Sequence, residues 1–287
     1  MPLPTLNLIG PGRLGLTLAS LWQRHGVLQI GGLRARQTST VAAAQATLGT
    51  GLDCSDSPLP PCDYTLIATP DDAIPAAVAM LMKEPGLAVD SVVFHASGAL
   101  SSEVLAPLRS RGIHVASIHP LRSFAAGAMP ATLAGTWCGC EGDAQALARL
   151  GPLFDALGAH RFQLESAHKT LYHAGAVLAC NDLIALMETA LRCMAAAGVP
   201  REQAWPALRP LIDGTLANLD RLTPAAALTG PIARGDRQTV LRQLTATAEL
   251  DPAVAAVYRS LGQVALQLAR LSAEQEQALG ALLEARP

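Results

Sequence analysis

Short apolar runs alternate with amphipathic stretches through the first half of the chain, and the pattern changes near residue 164. Thr5–Ile9, Val27–Leu33, Tyr64–Ala68, Ser91–Phe94 and Ile113–Ser117 are apolar runs of strand length. Between them, Leu16–Arg24, 40–48, 72–82 and Leu100–Arg109 read as helices. Strand and helix alternating at this interval predict right-handed βαβ units on a parallel sheet. Gly135–Glu141 and His160–Leu164, with a helix near 143–157 between them, extend that sheet. The stretch His119–Gly135 is rich in Gly, Ala, Pro and Ser and reads as a long loop beside a site.

Beyond this point the strand pattern stops. Helical patterns cover 166–197, 201–222, 237–249, 251–271 and 273–285, punctuated by Pro200, Pro224, Pro231 and Pro252. The expected class is α/β: a doubly wound, mostly parallel sheet over 1–164, followed by an all-α domain over 165–287. The most apolar long segment, 170–199, is interrupted by Asn181, Asp182, Glu188 and Arg192. A buried helix is therefore expected there rather than a membrane span.

Composition narrows the function. A chain of 287 residues that is 50% hydrophobic suits two domains. A net charge of −2 and 3% aromatics argue against a nucleic-acid partner, which calls for basic surface and stacking rings. The six cysteines form no CxxC pair, so neither a zinc site nor a disulfide framework is indicated. Met1–Thr5 holds no basic residue ahead of an apolar stretch and does not read as a signal peptide. The expectation is a soluble, cytoplasmic protein without a metal.

Gly10-Pro11-Gly12-Arg13-Leu14-Gly15 follows the first strand and opens the first helix. Gly10 permits a tight turn, Gly12 admits a pyrophosphate close to the backbone, and Gly15 lets helix and strand pack. The helix N-terminus offers free N–H groups to the phosphates. Strand before and helix after make this a Rossmann-type dinucleotide fingerprint rather than a chance glycine turn. The end of the second strand selects the cofactor. It carries Arg34 and Arg36 and no acid, which points to the 2′-phosphate of NADP. Arg36 is the first choice, with Thr38 or Ser39 as further donors; a pair of solvated surface arginines is the alternative. Thr69-Pro70-Asp71 ends a later strand, where it either flanks the cofactor or lets Asp71 cap a helix.

A second constellation opens the first long helix. Nineteen of the basic residues are Arg and two are Lys, Lys83 and Lys169, which makes Lys169 conspicuous. Lys169 and His173 are four apart and share a helical face, with Asn181 further along. A Lys ammonium could stabilise a developing alkoxide and donate its proton, and burial would lower its pKa toward the working range. His173 is an alternative acid or a substrate-orienting group. Ser97 closes one strand, and His119 and Ser123 follow another; all three are candidates to bind a carbonyl or carboxylate.

Five motifs carry a family resemblance: GPGRLG at 10–15, HASGALSS at 95–102, SIHPLRSF at 117–124, KTLYHAGAVLACN at 169–181 and ALTGPIARGD at 227–236. Together they resemble the Rossmann-like proteins with a helical DUF2520 C-terminal domain, over essentially the full chain. That layout is similar to pyrroline-5-carboxylate reductases, ketopantoate reductases and β-hydroxyacid dehydrogenases. In the latter two groups a catalytic Lys is followed one turn later by Asn. Lys169 matches the Lys, and His173 stands where the Asn would be. The resemblance implies an NADP-linked reductase of a small carbonyl or imine compound, ketopantoate being one candidate. Arg234 is a candidate for a substrate carboxylate, against a turn in which Asp236 caps the next helix. In related architectures this region reaches a neighbouring subunit's cleft, so a homodimer is expected. Two alternatives stay open: a dinucleotide-binding protein without turnover, and an enzyme using a deazaflavin.

Overall fold

A computed structural model describes residues 2–124 and 132–284. The part of the expected 119–135 loop at 125–131 lies outside the described residues, as does the last position of the expected 273–285 helix. The chain divides into two compact units, Met1–Val177 and Leu178–Pro287. The division falls inside a long helix.

The first unit is an eight-stranded sheet: β1 (Thr5–Ile9), β2 (Gln29–Arg34), β3 (Leu52–Asp53), β4 (Tyr64–Ile67), β5 (Val92–His95), β6 (His114–Pro120), β7 (Trp137–Gly142) and β8 (His160–Gln163). Their order is β3-β2-β1-β4-β5-β6-β7-β8. The first six run parallel, β7 runs antiparallel to β6, and β8 pairs parallel with β7. This is the doubly wound order, with its reversal between β1 and β4. Helices α1 (Arg13–Arg24), α2 (Thr38–Leu48), α3 (Ile74–Leu81) and α4 (Ala144–Asp155) belong to this unit. Where Leu100–Arg109 is expected as a helix, the chain forms a 3-10 segment over Ser102–Arg111 that contains Pro107, which lacks a backbone donor.

Strand alternation explains the packing. Leu6, Leu8, Leu66, Phe94 and Ala116 join one core with Leu18, Trp22 and Phe154. Ile9, Ile67, Val93 and Val115 join another with Ile74, Leu81, Leu105 and Leu108. Both faces are covered, so the strands are apolar almost throughout. Trp22 anchors the first core edge-on to Phe94 and Phe154, and its indole N–H donates to the Leu153 carbonyl at 2.9 Å. Buried Asn7 donates to the Pro60 carbonyl and accepts from the Gly32 N–H at 2.7 Å, where the β1–β2 register shifts.

Helix α5 (Lys169–Ala196) begins in the first unit. The second unit contains α6 (Arg201–Leu219), α7 (Pro224–Ala227), α8 (Arg237–Leu250), α9 (Pro252–Leu268) and α10 (Ala273–Glu284). Its buried core is Val240, Leu244, Leu279 and Leu283, flanked by Ile232, Tyr258 and Leu266. Asp236 and Asp251 cap α8 and α9 by accepting from Thr239 N at 3.0 Å and Ala253 N at 2.8 Å. The expectation of a buried helix at 170–199 is corrected. Leu171 is 75% and Ile184 68% exposed, and Ser166–Ala196 is long and apolar enough to cross a membrane by length and composition. The polar interruptions are too few to make α5 a surface helix by composition, so its apolar face lacks a cover within the described chain.

Candidate active site

The site is built on the carboxyl ends of the parallel strands, where loops leave the sheet. After β1, Gly10 takes φ +72°, and its N–H donates to the Arg34 carbonyl at 2.8 Å. A methyl on Gly10 would come within 2.5 Å of Thr69 Cγ2, and one on Gly15 within 2.7 Å of Ala68 Cβ. Fold packing therefore demands both glycines. Gly12 differs: a methyl there would meet nothing nearer than the Ala68 carbonyl at 3.8 Å. The fold therefore has room for a side chain at Gly12 at ordinary contact distance, so packing does not demand this glycine, and close approach of a group from outside does. Gly12 is also the N-cap of α1 and provides no side-chain cap, and Pro11, Arg13 and Leu14 add no acid to the first turn. Beside the loop, Thr69 Oγ1 is buried without a hydrogen-bond partner among the described residues. These features fit a dinucleotide pyrophosphate.

The two arginines after β2 separate cleanly. Arg34 is engaged within the fold: its guanidinium pairs with buried Glu84 at 2.6 Å and donates to the Cys54 carbonyl at 2.7 Å. It ties β2 to the end of α3 and is corrected from cofactor ligand to structural residue. Arg36 is exposed beside Thr38 and Ser39 at the N-terminus of α2, which has no side-chain cap. Thr69, Pro70 and Asp71 follow β4, but Asp71 caps no helix. Its carboxylate accepts from Ser97 Oγ at 2.8 Å. Ser97 Oγ also accepts from the N–H groups of Ala99 and Leu100, so it holds the turn after β5 instead of offering a free hydroxyl to substrate. That expectation too is corrected.

Lys169 is 1% exposed. Its ammonium donates to Ser117 Oγ and, at 3.0 Å, to Glu141 Oε1. Glu141 is likewise 1% exposed and accepts from Ser102 N at 2.8 Å, Ser102 Oγ at 2.6 Å and Ser166 Oγ at 2.7 Å. His95, Ser117 and Glu141 lie in register across β5, β6 and β7. They form one polar row through the sheet, and Lys169 closes it. Burial lowers the Lys169 pKa, and the Glu141 carboxylate opposes that shift. Burial pushes Glu141 upward, but bonds from Ser102, Ser166 and Lys169 outweigh it and leave its pKa below the ordinary value. Buried His95, beside the Lys169 ammonium, is held down to about 4. Its Nε2 faces the Ser101 carbonyl at 3.2 Å, and its Nδ1 accepts from Ser97 N at 3.1 Å. Spacing placed Lys169 correctly at the start of α5, but its ammonium is sequestered under the site rather than presented to an open cleft.

A ring cluster lies at the carboxyl end of β6. His119 Nδ1 lies 2.8 Å from the Tyr172 hydroxyl. His119 and His173 meet edge-on with centroids 5.6 Å apart. Both crowd Gly98: a methyl there would strike His173 Nδ1 and lie 2.9 Å from His119 Cε1. His173 Nδ1 is buried and unpartnered among the described residues. Burial, then His173 and Lys169, lower the His119 pKa to about 4. Burial raises the Tyr172 pKa to about 12. Ser123 is exposed at the border of the undescribed segment. Asn181 and Arg234 are exposed residues of the second unit. Glu141 and Tyr172 had no role in the sequence reading. A lone acid in the apolar run Trp137–Gly142, in a chain with two lysines, was the available signal for the first.

Family models match a Rossmann-like domain over residues 4–120 and a domain of unknown function, DUF2520, over 136–265. No curated protein matches the sequence. Among solved structures, a Bacteroides fragilis protein described as a candidate NADP oxidoreductase is similar at 20% identity and TM-score 0.72, over 92% of this chain and 98% of that one. A Thermotoga maritima protein is similar at 24% identity and TM-score 0.71, with the same two coverages. An imine reductase from Myxococcus stipitatus in complex with NADP+ is similar at 16% identity and TM-score 0.67, over 98% of this chain and 100% of that one.

Proposed function

The chain belongs to the Rossmann-like proteins that carry a DUF2520 domain, and from that premise we propose that it is an NADP-dependent oxidoreductase reducing a small carbonyl or imine compound. The observation that carries this reading is the row of unpartnered groups at the strand ends. It comprises the open face of Gly12, the uncapped start of α1, the orphan Thr69 hydroxyl and the free Arg36. By contrast, the buried polar groups of Asn7 and Glu141 in the same unit are paired. A dinucleotide would satisfy the unpartnered ones. Gly10, Gly12 and the first turn of α1 would hold the pyrophosphate, and Arg36 with Thr38 or Ser39 the 2′-phosphate. Bound NADPH supplies hydride chemistry.

The chain's own residues supply the surroundings. The Lys169–Glu141 ion pair, completed by Ser117, would brace the strand ends that carry the site. The ring cluster of His119, Tyr172 and His173 excludes water and lines the acceptor's position. We further read the uncovered apolar face of α5, with Leu211 68% exposed on α6, as the contact of a homodimer. Buried free thiols at Cys54, Cys62, Cys138 and Cys140 suit a cytoplasmic setting.

NADPH oxidation, followed by nicotinamide absorbance against keto acids and cyclic imines, tests the proposal. Tight NADPH binding with turnover of some member of that panel is expected. Binding with no turnover anywhere supports the second reading, a dinucleotide-binding protein, which the full pairing of Lys169 favours. Absence of NADPH binding removes both.

A further inference from the structure

The reductase reading leaves the acceptor's chemistry open between a neutral carbonyl and a cationic iminium, and the ring cluster discriminates between them. The Tyr172 hydroxyl and His119 Nδ1 share one proton at 2.8 Å. If Nδ1 carried it, the phenolic hydrogen would need another acceptor, and none is found among the described residues. With the phenol as donor, both groups are satisfied. That arrangement leaves the proton of the neutral ring on Nε2. No hydrogen bond from Nε2 is found among the described residues.

The groups facing His119 oppose a second positive charge. His173 lies edge-on from α5, the Lys169 ammonium lies below on the same helix, and Tyr172 is an uncharged phenol. Asp71, after β4, is the one acid found acting on His119 among the described residues, and it is bound by Ser97. The site therefore presents an N–H donor and, among the described residues, no unpaired acid that would hold a cation, since Asp71 is bound by Ser97 and Glu141 by Lys169. Such a site suits an uncharged or anionic acceptor and disfavours a cation.

Resting on the reductase reading, we infer that Tyr172 is a positioning residue that locks His119 as a neutral Nε2–H donor, and that this N–H binds a carbonyl oxygen. The substrate class is then a carbonyl compound, with keto acids favoured over iminium ions. A neutral imidazole polarising a carbonyl is a known device of this kind.

Side-chain nitrogen NMR of the full chain tests the lock without needing turnover, with His119→Asn identifying the His119 signals. The expected result is a proton on Nε2 and none on Nδ1 from about pH 8 to about pH 5. In Tyr172→Phe the two tautomers should mix. A proton on Nδ1, an imidazolium near pH 6, or an unchanged tautomer in Tyr172→Phe overturns the lock. Oxamate, a non-reducible carbonyl probe, added with NADP+ should shift the Nε2–H signal in the wild type. No shift overturns the carbonyl assignment. With NADPH and the substrate panel, kcat/KM should favour keto acids over cyclic imines and fall roughly tenfold in Tyr172→Phe, the loss of one oriented hydrogen bond. Preference for the imine overturns the substrate class. Failure of NADPH to bind would instead remove the reductase reading and leave the tautomer result standing.

Discussion

Two groups of polar residues in the same sheet unit are built on opposite plans. Around Gly10–Gly15 and Arg36 the protein leaves donors free, space open and a helix start uncapped. In the row His95–Ser117–Glu141–Lys169 the charges are paired and the side chains buried. The contrast separates recognition from architecture. A surface that must accept a ligand carries unsatisfied groups when empty, and a surface that holds strands together satisfies them internally. Arg34 and Arg36, two residues apart, repeat the distinction on a smaller scale.

The largest effect should come from breaking the paired row. Lys169→Met leaves a carboxylate buried without its cation and should cost about 3–5 kcal/mol in urea unfolding. NADPH affinity should change little. A double variant, Lys169→Met with Glu141→Leu, should recover part of the loss, since no lone charge remains. Equal stability of the single variant and wild type would mean that the row is not structural.

Acid should act next. His95 and His119 have folded pKa values near 4, against about 6.5 unfolded. Their folded values are depressed, so stability is fully present above about 6.5 and declines as pH falls toward 4. A shift of this size corresponds to at most about 3 kcal/mol per histidine. Thermal melts between these limits should show the decline, and His119→Asn should remove about half of it, leaving the share of His95.

Arg36→Ala tests the open side. It should weaken NADPH by about 10- to 100-fold, the range for a charge-assisted hydrogen bond, with NADH and stability nearly unchanged. Equal loss of both cofactors would mean that Arg36 is not the discriminator.

The smallest change in stability belongs to the sharpest pair. Gly15→Ala should destabilise by about 1–3 kcal/mol through overpacking against Ala68. Gly12→Ala should leave stability within about 0.5 kcal/mol, because its methyl meets its neighbours only at ordinary contact distance, yet reduce NADPH binding. Isothermal calorimetry and unfolding on the two variants would expose any failure of the contrast.

Legibility in the sequence followed the same division. The glycine loop, the strand–helix alternation and the start of α5 depend on local pattern, and each was readable from a few neighbouring residues. The partnership of Lys169 joins β6, β7 and α5 over separations that no period encodes, so the burial expected of Lys169 was legible but its partner Glu141 was not. Arg34 and Arg36 looked alike because Glu84 is fifty residues from Arg34. The 3-10 geometry of Ser102–Arg111 was not legible from Pro107, since α4 and α6 hold internal prolines and stay α-helical, and the two-residue edge strand β3 was too short to carry a pattern. Helix α5 was misread as buried because apolar composition does not say which chain supplies the cover.

The chain's two amines differ as sharply as two lysines can. Lys83 lies on the surface, and Lys169 is sealed between a strand and a helix. An acylating reagent should therefore modify Lys83 at once and reach Lys169 only when the first turn of α5 lifts from the sheet. Mass spectrometry of that slow modification would clock the local opening of the site, using a reporter the protein already carries.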